Sequence, residues 1–251
     1  MEWPKSTLNK LIITLILISL TTAIFAESPY KKNIYRAFIA RDMIKWEKVI
    51  RTIEASNSIN TVDQKLELIN YYYGYIGYLI GIKQYTKAEK LIIKGENLIT
   101  EVLLISPKNA TAYSFKGSFI GFHIGISKFK AIFLKSESKC NINKALELDP
   151  QNVQALIDKG NTLYYAPRLL GGNKKEALTY LLKAANILEQ KKETNENWVY
   201  LNLLTIIADA YDKTDNLEEA KLYYEKILRD EPQIIWVKND LYPKFLAKIK
   251  S

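Results

Sequence analysis

The chain has 251 residues, 48% of them hydrophobic, with a formal net charge of +9, ten glycines and seven prolines. So few turn-formers exclude a sandwich or barrel of many short strands and favour long helices. One histidine and one cysteine are a poor supply for a zinc site, which takes about four ligands, and cannot form a disulfide within the chain.

In chain order, Lys5 and Lys10 precede an apolar run at residues 11–20, and residues 21–26 offer small-residue cleavage points. This predicts a secretory signal peptide over residues 1–26, leaving Glu27 as the first mature residue. The rival expectation is a retained anchor, although the run is shorter than the roughly 20 residues of a membrane span. No cysteine stands directly after the run, so a lipoprotein is not expected. The expected location is the periplasm or cell envelope. There the basic balance points to anionic head groups or an acidic partner rather than nucleic acid. The lysines are scattered over helix faces, which makes a solvated basic surface the simplest interpretation.

Five pairs of segments with helical apolar spacing follow. Residues 33–55 form the first, with Ile34, Phe38, Ile44, Ile50 and Ile53 apolar and Ala37 and Val49 at the crossing. Residues 62–105 form the second, with Gly77 opposite Ala88. Its tyrosines between 71 and 78 surround the helix, so some belong to the core and others face a groove or solvent. Residues 108–148 form the third, with Gly117 opposite Ala131 and Cys140 buried. Asp149-Pro150 then stops a helix and leaves Asn152 to cap the next. Residues 152–188 form the fourth pair, with Gly160 facing Ala177, and 197–230 the fifth, with Ala208 facing Ala220. Residues 233–250, apolar at Ile234, Trp236 and Phe245, read as a cap interrupted near Pro243.

The order of features over residues 143–189 is a proline stop, an inward glycine on the first helix, and Ala177, Leu181 and Ala184 on one stripe of the second. The same order recurs at Ala208, Tyr211, Ala220, Tyr224 and Pro232. This resembles the tetratricopeptide repeat. The resemblance implies an all-α solenoid of about five antiparallel hairpins with a C-terminal capping helix. The small residues recur about every 40–48 positions, longer than the ~34 of a standard unit.

For chemistry the sequence offers little. His123 sits between Phe122 and Ile124 and no Gly-x-Ser-x-Gly elbow exists, so His123 is expected to be structural and the protein not an enzyme. Gly171-Gly172-Asn173-Lys174-Lys175 lacks the Walker spacing; a wide turn with Asn173 as a cap is expected, and the loop at 167–172 should protrude. No metal or cofactor is expected.

Proteins of the resembled family bind through the concave face lined by first helices. Counting from the small residues places Tyr78, Ser114, Ser118, Ile157, Asn161, Tyr164, Thr205, Asp209 and Asp212 there, with Gly74, Gly81 and Gly121. No Lys or Arg stands in the row, so the carboxylate-clamp activity is not implied. Asn161 matches a family position that holds peptide backbones. The expected function is a non-catalytic exported scaffold that binds another envelope protein or peptide. The alternative is a small-ligand accessory of a solute transporter. The Tyr164–Asn173 loop is similar to that of the periplasmic tetratricopeptide component of tripartite transporters, which implies a cavity for an apolar solute.

Overall fold

The computed structural model describes residues 28–56 and 59–250, and among these it contains helices and no strand. The predicted export signal lies outside the described residues. The helices are α1 (Lys31–Ile39), α2 (Met43–Ala55), α3 (Val62–Gly81), α4 (Tyr85–Ile105), α5 (Ala110–Ile126), α6 (Ala131–Leu148), α7 (Val153–Tyr165), α8 (Lys174–Gln190), α9 (Trp198–Asp212), α10 (Leu217–Asp230) and α11 (Tyr242–Lys250). They pair in sequence as five hairpins, and α11 closes the end. A π-helical turn at Val237–Leu241 precedes α11. Helical residues run unbroken from Ile235 through this turn into α11, so Pro243 lies inside a continuous helical stretch, and the π turn directly before it is the irregularity at which the ladder accommodates its missing N–H.

Local chemistry sets the starts. Asp42, Thr61, Asn109, Asn152, Asn173 and Asn197 each accept a backbone N–H of the helix they open, and Thr61 with Gln64 completes a capping box. Three hairpins share one tight turn. Arg41, Lys83 and Asp215 adopt left-handed φ, and the N–H groups of Asp42, Gln84 and Asn216 reach back to the carbonyls of Ala37, Leu79 and Tyr211. That is the closing bond of a Schellman motif.

The crossings follow the small residues only in part. Ala37, Ala88, Gly117, Gly160, Ala177, Ala208 and Ala220 are buried as expected. At Gly160 an added Cβ would lie 2.6 Å from the Leu181 side chain. Gly77 is a correction: it is exposed, with nothing within 4 Å of an added Cβ. The close approaches of the second hairpin are instead Gly74, under the Trp46 and Trp198 indoles, and Gly95, against Phe119. Gly117 packs on Ser138 and Ile142 rather than on Ala131, because a 3-10 turn at Lys128–Lys130 moves the crossing two turns down α6. In the first hairpin Trp46 takes the core, while Val49 is half-buried and Ile44 is 83% exposed. Cys140, expected inside, is exposed.

These environments predict opposite signs for one substitution. Gly117→Ala should cost about 1–3 kcal/mol, because its Cβ would stand 2.7 Å from the Ser138 carbonyl oxygen and two backbones would have to separate. Gly77→Ala meets nothing and should gain about 0.5–1 kcal/mol through helix propensity. Urea denaturation of both variants checks this; equal signs would refute it.

The solenoid does not stay open, since its two ends meet. The Trp198 ring on α9 packs 4.9 Å from Trp46 and 5.8 Å from Phe38, and Trp236 lies 5.4 Å from Phe38. Tyr35 donates to Glu231 at 2.5 Å, the Trp236 indole donates to the Phe38 carbonyl at 3.2 Å, and Lys32 pairs with Glu196 at 3.2 Å. The first hairpin thus rests on the last one and on the segment leading to the cap. The first helices α3, α5 and α7 are drawn together inside.

Candidate binding surfaces

Closure decides what the predicted concave row can do. Ser114, Ile157, Tyr164 and Thr205 are buried, so these four cannot touch a partner without the fold opening. Tyr78, Ser118, Asn161, Asp209 and Asp212 are half-buried. Asp209 is engaged by Lys213 at 3.0 Å and Asp212 by Lys248 at 2.7 Å. Gly74 holds the two indoles, while Gly77 and Gly81 face open space.

Where α3, α5 and α7 converge, a buried polar cluster forms around Asp158. Its carboxylate accepts from Ser114 at 2.5 Å, Tyr73 at 2.9 Å and Gln154 at 3.1 Å. Burial pushes the Asp158 carboxyl up to about 6, and the hydrogen bonds from Ser114, Gln154, Ser118 and Tyr73 oppose that rise. Tyr73 in turn accepts from the Asn161 amide at 3.0 Å, and the Asn161 carbonyl oxygen is buried with no partner. Phe115 and Phe122 wall the Tyr73 ring at 5.8 and 5.3 Å. The sequence offered no reason to single out Asp158, because nothing local says which face of α7 meets α3.

One turn beyond Asn161, α7 ends at Tyr165. Tyr165 is 68% exposed, yet surrounding protein raises its phenol pKa by desolvation, with Lys213 and Tyr73 within electrostatic range. A concavity of about 400 Å³ lies between α2 and α4. Its carboxylates are paired, Glu47 with Arg51 and Lys87 at 2.6 Å each and Glu54 with Lys94 at 2.7 Å, while Lys90 lines it without an ion pair among the described residues. Lys87, ahead of Tyr75 and Arg51, holds the Glu47 carboxyl down at about 2 despite its partial burial.

His123 is half-buried, with Nε2 3.1 Å from Glu96 and Nδ1 buried without a partner. Among the described residues no three His, Cys, Asp or Glu side chains gather as a metal site, and no helix is long and apolar enough to cross a membrane.

The turn edge carries a feature that the sequence analysis had divided among hairpins. The third and fourth hairpins replace the tight turn with longer connections at 127–130 and 166–173, each containing a 3-10 turn. Both join a first helix to its second, so both lie on the same edge of the stack in neighbouring units. The protruding loop is as expected: Leu169 is 100% exposed and Gly171 takes φ +85°. At the other connection and the helix turn after it, Phe129, Ile132 and Phe133 are 80–85% exposed.

No family model matches the chain, and no curated protein matches it. Several solved structures share its fold, among them these two. One is the HusA haemophore from Porphyromonas gingivalis, with TM-score 0.58, 14% identity, and coverage of 75% of this chain and 96% of that one. The other is a thermophilic TPR protein from Thermus thermophilus, with TM-score 0.55, 12% identity, and coverage of 86% and 99%. At such identities the likeness is one of fold: this chain is a TPR-like stack of helical hairpins.

Proposed function

We propose that the protein is an exported, non-catalytic TPR-like binding protein that holds another protein of the cell envelope at the exposed aromatic end of α7. The observation that carries this reading is the Tyr165 ring, 68% exposed at the last residue of α7. It stands one turn beyond the hydrogen-bonded pair Asn161 and Tyr73, and Gly77 and Gly81 leave the backbone of α3 uncovered one and two turns beyond Tyr73. Such a surface offers stacking and hydrogen bonds without a nucleophile and its base. The signal-like residues 1–26 support the location.

A second reading is a carrier of a small apolar ligand. Two observations favour it: the meeting of the chain ends, which narrows the interior, and the fold shared with a haemophore.

Crosslinking in intact cells followed by mass spectrometry tests the first reading. A recurrent envelope partner is expected, with recovery falling about tenfold or more in Tyr165→Ala, as for an aromatic hot spot. Failure to recover any partner, together with haemin or a lipid-like molecule retained by the purified protein and lost in the same variant, would replace it with the second reading.

A further inference from the structure

The elongated turns of the third and fourth hairpins are unexplained by folding. Three other hairpins close with a tight turn of the same kind, and burial does not reward Phe129, Phe133 or Leu169, which are 80–100% exposed. Clustered exposed apolar side chains on one edge mark an interaction surface. Its chemistry is set by the neighbours. Residues 127–135 (SKFKAIFLK) and 167–175 (PRLLGGNKK) contain lysine and arginine and no acidic residue, in a chain that as a whole mixes 36 basic with 27 acidic groups. Lys128, Lys135, Arg168 and Lys175 form no ion pair among the described residues, and only Lys130 reaches a carboxylate, Glu89 at 3.9 Å.

We infer that this edge docks the protein on an anionic lipid bilayer. Phe129, Phe133 and Leu169 enter the head-group region, and Lys128, Lys135 and Arg168 meet lipid phosphates. The shape selects a bilayer over a protein. The apolar groups stand at hairpin tips, Phe129 and Leu169 in 3-10 turns and Phe133 in the first turn of α6, and do not line the concavity between α2 and α4. A soft interface accepts such tips, whereas a folded partner would need matching pockets. Aromatic rings flanked by cations are the composition that interfacial binding favours. The surface uses side chains other than Tyr165, which directly precedes the 166–173 connection, so it stands whether that ring holds a protein or a small ligand.

The test is site-specific, so that residues 1–26 cannot mimic the result. An environment-sensitive fluorophore is placed by Leu169→Cys in a Cys140→Ser background of the full chain, and at the opposite edge by Leu104→Cys, which replaces a side chain 77% exposed. With phosphatidylglycerol vesicles the Leu169 label is expected to shift to the blue and the Leu104 label to stay unchanged. Phosphatidylcholine vesicles should shift neither. Phe129→Ser/Phe133→Ser should weaken the apparent vesicle affinity about tenfold or more, and high salt should weaken it further. All these positions are exposed, and unchanged circular dichroism confirms the fold. No shift at Leu169, equal shifts at both edges, or vesicle binding indifferent to Phe129 and Phe133 would overturn the inference. So would a lipid-free dimer that the double substitution dissociates, since the edge would then belong to a second copy.

Discussion

Trp198→Ala is expected to cost about 3–5 kcal/mol, the range for deleting a large buried aromatic side chain. The indole is 6% exposed, lies against Trp46 and Phe38 and donates to Asn70 at 3.0 Å. It therefore ties α9 to α1, α2 and α3 across 128 residues of sequence. In a solenoid held only by neighbouring units the loss would stay local. Here it should also release the first hairpin. Urea denaturation gives the overall cost, and amide exchange gives its distribution: protection over residues 31–55 should fall well before that of α7 and α8. Trp198→Phe, which keeps much of the packing but strands Asn70, should lose less. Full protection of α1 and α2 in Trp198→Ala would mean that the ends are joined by something other than the aromatic cluster.

The second large effect concerns Asp158. Its carboxyl is raised from 3.8 to about 6, so the folded protein holds that proton more tightly than the unfolded chain. The stability this supplies is present in full below about pH 4. It is lost as pH rises through about 6, amounting to about 3 kcal/mol over that interval. Asp158→Asn removes the titration and should flatten that part of the profile. Asp158→Ala leaves the Ser114 and Tyr73 hydroxyls and the Gln154 amide without their acceptor, at about 1–3 kcal/mol for each buried group so stranded. Unfolding measured at pH 4.5 and 8 should therefore rank Asn above Ala at both values. Parallel pH profiles for wild type and Asp158→Asn would show that another group carries the dependence.

Much of this architecture was legible in the order of residues. Asn152 and Asn173 cap where expected, Pro150 stops a helix, and Gly160 meets the Ala177 turn of α8, because each feature acts within a few residues or across one hairpin. The fourth and fifth hairpins were the clearest for that reason. Gly77 misled because a small residue at the right interval need not face the neighbouring helix; three residues earlier, Gly74 does. Ala131 misled because the inserted 3-10 turn changed the register of α6.

The candidate surfaces were less legible. Phe129, Ile132 and Phe133 have the spacing of core residues, and only their place at a hairpin tip exposes them. Asp158 is an ordinary polar residue until Tyr73 and Ser114 reach it from two other helices.

By itself the sequence determined that this chain makes capped helices, that they pair, and where most pairs begin and end, since helix signals and hairpin crossings are short-range. Only the tertiary structure decided that the ends meet through Trp198, Trp46 and Phe38, and that four of the nine predicted contact residues are buried inside. Superhelical closure depends on small rotations summed over five units, and no single segment encodes that sum.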